Sequence, residues 1–393
     1  MLQSKNKIDV ILADIFQCCL KQYDALPSCG LLDGKLGVLV YLLYYKKYVG
    51  TAEVDIIVDR LWDSFLAEIP FETMNYDYAN GICGLLYTLH VLYQNGISDV
   101  DPTEAADQLS SHILFQMRQR ESLNYSYDLF YGLTGAGIFA TEMRNNEILS
   151  FVINSLEQNS IICGECIKWR HVDLRDRRNS IVNISMPHGM SSIIILLAKV
   201  YQKKPEKKLF NLITGAINYL LSQEIDTKIF SSMFPMTSKE SQQNLYSSRL
   251  AWCYGDLCPA LALWIAGKTL SNDKWQEKAI QIFLHNAKRR EESDTLVFDG
   301  ILCHGSAGIA QIYRRMFFET NLIEFKNTAT YWDNRTIEYG KNDDGFAGYK
   351  TARHAGTFNS IGLLEGIAGI GLSLLSSIST ASNSTWDKLL LIS

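Results

Sequence analysis

No stretch of this 393-residue chain stays apolar for long. The longest uninterrupted runs, such as VLVYLLYY at 38–45, fall far short of the ~18 residues that argue for a membrane span. Runs of five like charges are also missing. With a net charge of −5 and a pI near 5.9, the chain has no electrostatic footprint for nucleic acid. The opening MLQSKNKIDVILADIFQCCLKQY lacks the unbroken apolar core of a signal peptide, and its helical spacing of apolar residues predicts an amphipathic helix. A cytoplasmic location is therefore expected. Nine cysteines, an odd number without an export signal, argue for reduced thiols over a disulfide framework. CGEC at 163–166 has no second CxxC and no βαβ context, so it reads as incidental spacing.

What is present is an ordinary globular composition, 47% apolar and 20% charged, long enough for two average domains or one large closed architecture. One punctuation mark organises it: a glycine, three residues later another small residue, then an aliphatic run. It occurs seven times, led by Gly34, Gly81, Gly132, Gly189, Gly255, Gly305 and Gly366, at spacings of 47 to 66 residues. That spacing suits one helical hairpin per repeat. The glycine-led segments are apolar nearly all round, whereas intervening stretches such as KWQEKAIQIFLHNAKRR at 274–290 have one charged face. Seven apolar inner helices ringed by seven amphipathic outer ones predict an all-α fold, a seven-fold α/α toroid formed as a single domain over residues 1–393. Closing the ring buries end faces that a linear helical solenoid must cap.

The two widest gaps hold polar, β-branched stretches. They predict a strand-bearing extension built from residues 164–187 and 226–248. Residues 327–360, rich in Gly, Asn, Asp and aromatics, read as a long ordered or lid-like loop.

If every glycine opens an inner helix, the residues just before the glycines converge on one rim. There the chain places Cys253 in WCYG, and Cys303 and His304 in CHG. Two thiolates and one imidazole leave a tetrahedral zinc position open, as in a catalytic site, and soft sulfur favours zinc over magnesium or calcium. Cys258, one turn inside an inner helix, and Cys18 and Cys19, on the N-terminal helix, read as packing residues. His188, directly before Gly189 as His304 is before Gly305, reads as a general acid/base. Asp128 and Arg249 are each either a structural ion-pair member or an active-site residue. Tyr254 either donates a hydrogen bond into the site or packs.

Together WCYG, CHG, PHG, YGLTG and the closing LLEGIAGIG resemble the lanthionine synthetase C (LanC) family of lantibiotic cyclases, from Gly34 to about Ser376. The resemblance implies a seven-fold α/α toroid with an SH2-like extension, to which the strand-bearing gaps would correspond. It implies one Zn2+ per chain on Cys253, Cys303 and His304, with His188 as acid/base and Asp128, Arg249 and Tyr254 in support. The implied reaction adds cysteine thiols to dehydroalanine or dehydrobutyrine of a dehydrated precursor peptide that carries a leader. Implied partners are a dehydratase and an exporter, in a complex that holds the chain peripherally at a membrane. Ser192 and Cys258 replace the second small glycine in the fourth and fifth repeats, a departure that bears on packing more than on chemistry. Two other functions compete. Protein prenyl transfer also uses an α/α barrel and zinc, but with six-fold symmetry and an aspartate ligand, so seven repeats argue against it. The other is a LanC-like zinc and glutathione binder or scaffold without cyclase activity.

Overall fold

The computed structural model describes residues 2–121, 127–172, 180–353, 355–379 and 385–393. Its contacts divide the chain into a first unit, Met1–Asn75, Ala79–Pro102 and Val297–Ser393, and a second unit, Tyr76–Tyr78 and Thr103–Leu296. The first unit opens with helices α1 (Leu2–Gln22), α2 (Lys35–Val49), α3 (Ala52–Ala67) and α4 (Ile82–Gln94). The second carries α5 (Thr103–Glu121), α6 (Leu133–Glu142), α7 (Asn146–Gln158), α8 (Met190–Lys203), α9 (Lys207–Ser222), α10 (Leu257–Thr269), α11 (Asp273–Asn286) and the short α12 (Glu292–Thr295). The first unit resumes with α13 (Ser306–Thr320), α14 (Ile323–Tyr339) and α15 (Ile367–Ile378).

Among the described residues, seven helices start at the seven repeat glycines: α2, α4, α6, α8, α10, α13 and α15. In six of them the glycine itself is the N-cap residue, in extended conformation. These helices are buried on every side; in α6 all residues from Leu133 to Thr141 are buried. The intervening helices bury one stripe. In α11 that stripe is Trp275, Ala279, Ile282, Phe283 and Asn286, at steps of three and four, and the Asn272 side chain caps the helix by accepting the Trp275 N–H.

Each unit repeats one packing scheme. In the second, α8 packs against both α6 and α10, and α7, α9 and α11 back onto α6, α8 and α10. In the first, α15 packs against both α13 and α2, while α3 and α14 back onto α2 and α13. The last glycine-led helix, α15, takes its backing helix from the other end of the chain, α1. Leu12, Ile15, Phe16 and Cys19 form the buried stripe of α1, and each large apolar side chain buried there contributes about 1.5–3 kcal/mol.

The second small residue of each repeat has a steric cause. A Cβ on Gly308 would lie 1.9 Å from the carbonyl oxygen of Leu302, six residues earlier, so the turn before the helix folds directly against the helix backbone. The fifth repeat accommodates Cys258 differently. Gly255 has φ +91°, α10 begins one residue later with Asp256 as its cap, and the Cys258 thiol donates to the Trp252 carbonyl at 3.1 Å.

Three antiparallel hairpins complete the described structure: β1 (Ile161–Cys163) with β2 (Cys166–Lys168), β3 (His171–Val172) with β4 (Ser180–Ile181), and β5 (Thr351–Arg353) with β6 (Gly356–Phe358). The first two fall in the gap before Gly189, while residues 173–179 of the expected 164–187 segment lie outside the described residues. The 226–248 segment departs from its reading: it consists of turns and a short 3-10 helix, Lys239–Ser241. Several of its backbone donors go to side chains instead of a neighbouring strand, Met233 and Phe234 to the Asp256 carboxylate at 2.8 Å each and Ser248 to Ser232 Oγ. The expected loop at 327–360 is corrected too, because its first part lies in α14. Phe325, Thr328, Ala329, Trp332 and Thr336 are buried at helical spacing there, with threonines standing where aliphatic residues would have signalled a helix.

Candidate functional site

Among the described residues, the turn before five of the seven repeat glycines is held by one recurring polar residue, six positions ahead of the glycine. Ser28, Asn75, Asn183, Asp299 and Ser360 occupy this place, and each carbonyl accepts the N–H of the residue after the glycine at 2.8–3.1 Å. The side chains of Ser28, Asn183, Asp299 and Ser360 also accept the N–H two residues on, from Gly30, Ser185, Ile301 and Gly362. Short polar side chains favour such local turns. Sequence reading missed this set because Ser, Asn and Asp alternate in it, although their shared chemistry at a fixed offset was a usable signal.

Successive turns are also joined to one another. In the second unit the N–H groups of Tyr78, Leu129 and Met186 donate to the carbonyls of Phe130, Pro187 and Cys253 at 2.8–3.2 Å. In the first, Cys303 donates to Leu364, Leu364 to Leu32, and Leu31 to Ala79, at 2.9–3.0 Å. Every accepting residue is the second before its repeat glycine, the position that Cys253 and Cys303 occupy in their own repeats. Both cysteines are buried, at 4% and 9% exposure.

In the second unit the structure brings Asp128, His188 and Tyr254 together. Asp128 is 1% exposed; its Oδ1 accepts the Tyr131 N–H at 2.6 Å, and its Oδ2 lies 3.3 Å from His188 Nδ1. That geometry places the His188 ring proton on Nδ1, donated to the carboxylate, and leaves Nε2 for chemistry. The imidazole is 27% exposed, set edge-on to Phe130 with centroids 5.5 Å apart and tilted to Tyr254 at 6.4 Å. His171, absent from the sequence reading, lies 5.6 Å from His188 ring to ring. It stands outside the repeat register, so nothing in the glycine pattern pointed to it. Arg249 is half-buried; its Nη2 reaches the Leu296 carbonyl only at 3.5 Å, and its buried Nε has no hydrogen-bond partner.

In the first unit, Cys303 and His304 follow one another on the turn before α13. His304 Nε2 lies 3.1 Å from the Ala352 carbonyl oxygen and 3.4 Å from Asp299 Oδ2, whose carboxylate also accepts the Ala352 N–H at 2.8 Å. A histidine that ligates a metal through one nitrogen commonly donates from the other to a carbonyl or carboxylate in this manner.

The remaining cysteines are all free thiols. Cys19 and Cys258 are fully buried, and burial pushes both thiols well above the usual range. Cys163 and Cys166 face one another across the β1–β2 turn, Cys163 exposed. Among the described residues, no helix is long and apolar enough to cross a membrane.

Comparison with known proteins fits this picture. No curated protein matches the sequence. Among solved structures, nisin cyclase superposes with a TM-score of 0.75 at 17% identity, covering 100% of this chain and 98% of that one. The two share a fold, the all-α toroid that seven glycine-led repeats predict. A cellobiose 2-epimerase from Bacillus thermoamylovorans B4167 aligns at a TM-score of 0.46 and 12% identity, over 78% of this chain and 92% of the other, and adds nothing to the assignment. The family model described as lanthionine synthetase C-like protein matches residues 18–391, and the chain belongs to that family.

Proposed function

We propose that the chain is a zinc-dependent peptide cyclase, which adds cysteine thiols to dehydroalanine and dehydrobutyrine residues of a dehydrated precursor and so forms thioether rings. The observation that carries this reading is the pairing of a partly exposed imidazole, His188, with a buried carboxylate, Asp128, at 3.3 Å. A binding protein has no need of an imidazole poised for proton transfer.

The residues fit a zinc ion. Cys253, Cys303 and His304 offer soft sulfur and imidazole donors, and the Nε2–H contact of His304 leaves the Nδ1 lone pair for a metal. When bound there, zinc favours the thiolate over the thiol form of a substrate cysteine.

The chain's own groups handle the proton and the charge. His188 Nε2 takes the proton of the substrate S–H, while Asp128 stabilises the resulting imidazolium through Nδ1. The C–S bond forms at the β-carbon as the C=C π pair shifts between the α-carbon and the carbonyl carbon and the C=O π pair moves onto oxygen, giving an enolate. Arg249, whose guanidinium is under-satisfied within the chain, donates to that enolate oxygen. The proton on His188 Nε2 then passes to the α-carbon, so one proton leaves sulfur and arrives on carbon. Tyr254 keeps the far side of the imidazole in place.

We further assign the reaction to the cytoplasm, on a leader-bearing peptide delivered by a dehydratase and passed to an exporter in a complex at the membrane surface. Positioned proton transfer is worth about 10²–10⁴-fold. His188→Ala should therefore slow ring formation on a dehydrated peptide by that factor, scored by loss of alkylatable thiols, while zinc content holds. Full activity in the variant would overturn the assigned role.

A further inference from the structure

His171 contributes nothing to the mechanism above, yet it stands against the Asp128–His188 pair. It opens β3, paired across the hairpin with Ile181, while Asp128 and His188 sit on the turns before α6 and α8. One ligand atom from each of the three residues lies within 4.8 Å of the other two. Three separate elements thus aim two imidazoles and a carboxylate at one point.

We propose that Asp128, His171 and His188 form a second zinc site, distinct from the cysteine-containing one. In a tetrahedral site with zinc bonds of about 2.0–2.1 Å, neighbouring donor atoms stand about 3.3–3.4 Å apart. Asp128 Oδ2 and His188 Nδ1 already have that spacing at 3.3 Å. The His171 donor lies within 4.8 Å of both. Asp128 is fixed from behind by the Tyr131 N–H on Oδ1, as outer contacts fix metal-ligating carboxylates. The carboxylate is buried and His188 is 27% exposed, so an ion enters from the imidazole side and meets the negative charge inside. The Phe130 and Tyr254 rings flank His188. Two nitrogens and one oxygen suit zinc and do not suit magnesium, which prefers an oxygen shell.

Zinc at this site replaces the proton shared by His188 Nδ1 and Asp128 Oδ2. A neutral imidazole carries one ring proton; with Nδ1 on the metal, that proton resides on Nε2. His188 then has no lone pair to receive a thiol proton. Excess zinc therefore switches the proton relay off, a consequence that rests on the role of His188 proposed above, whereas the site itself does not.

The test is zinc equilibrium dialysis of the full chain in a Cys163→Ser/Cys166→Ser background, which removes the surface dithiol, with and without His171→Ala. The parent should retain about two zinc ions per chain at excess metal and the variant about one; His171→Gln guards against a folding artefact. Equal numbers in parent and variants would overturn the site. Cobalt taken up in a His171-dependent manner should show d–d bands without thiolate charge transfer, and a thiolate band there would also overturn it. If cyclisation is measurable, excess zinc should inhibit the parent at least about ten-fold more than His171→Ala. Two zinc ions, one lost with His171, in a chain that forms no rings would keep the site and remove the cyclase reading.

Discussion

His304 directs Nε2 at the carbonyl oxygen of Ala352, 3.1 Å away. A carbonyl only accepts, so Nε2 carries the proton and Nδ1 the lone pair. Asp299, 2% exposed, reinforces this orientation from 3.4 Å and ties the same stretch of β5 to the turn.

Asp299→Asn should weaken zinc binding by about 10–100-fold, the usual effect of losing an outer partner of a ligating histidine. A chelator competition on the folded variant measures this. Unchanged affinity would mean that His304 does not depend on Asp299 for its orientation.

Cys253→Ala and Cys303→Ala should each abolish the zinc that the parent retains when purified without added metal, about one ion per chain. Elemental analysis of the three proteins side by side decides it. Zinc kept in both variants would detach these cysteines from the metal.

Asp128→Asn preserves shape but removes the charge that stabilises the His188 imidazolium. Ring formation should fall by roughly 10²–10⁴-fold, with the loss in kcat rather than KM. A variant that changes only KM would make Asp128 a substrate contact instead.

Gly308→Ala should destabilise the protein by at least about 1–3 kcal/mol, because the new methyl group meets the Leu302 backbone rather than a side chain that can move. Denaturant unfolding monitored by circular dichroism gives the value. A neutral result would show that the turn before α13 can move away.

Cys19 and Tyr41 are fully buried where α1 meets α2, and burial pushes both groups well above their usual range; the Tyr41 hydroxyl donates to the Leu12 carbonyl at 2.7 Å. Below the pKa values of the unfolded chain, about 8.5 for thiol and about 10 for phenol, both states keep these protons and the two groups add no pH dependence. Above them the unfolded chain ionises and the native chain does not. Stability therefore falls as pH rises from about 8.5, by up to about 1.4 kcal/mol per pH unit for each group. A Cys19→Ala/Tyr41→Phe variant should show a shallower decline of Tm between pH 8.5 and 11; an identical slope would place the alkaline sensitivity elsewhere.

The repeat glycines were legible in the sequence because a glycine mark recurs seven times, and at Gly34, Gly189, Gly255 and Gly366 its cause is backbone packed against backbone. The amphipathic N-terminal helix was legible because a single face of α1 is buried. α14 was hidden by Thr328 and Thr336, which bury their methyl groups and return their hydroxyls to the helix carbonyls of Glu324 and Trp332. The turn-forming residues from Ser28 to Ser360 were hidden by their variety, since a hydroxyl, an amide and a carboxylate do the same work there. Asp128 and His188 were legible as a register, but their pairing is tertiary. His171 lies on a hairpin that no repeat predicts, and only the folded chain brings it to His188.

The union of α1 with α15 joins two helices separated by nearly the whole of the described chain. Until α15 is in place, α1 leans on α2, where Phe16 stacks on Tyr45 and the Tyr41 hydroxyl donates to Leu12, and the rest of its apolar stripe lacks a cover. A contact between chain ends of such sequence separation is slow to form, and an apolar stripe left uncovered that long invites association with other chains. A folding chain is thus most at risk of aggregation along α1, and a chaperone that protects it does so by holding that helix.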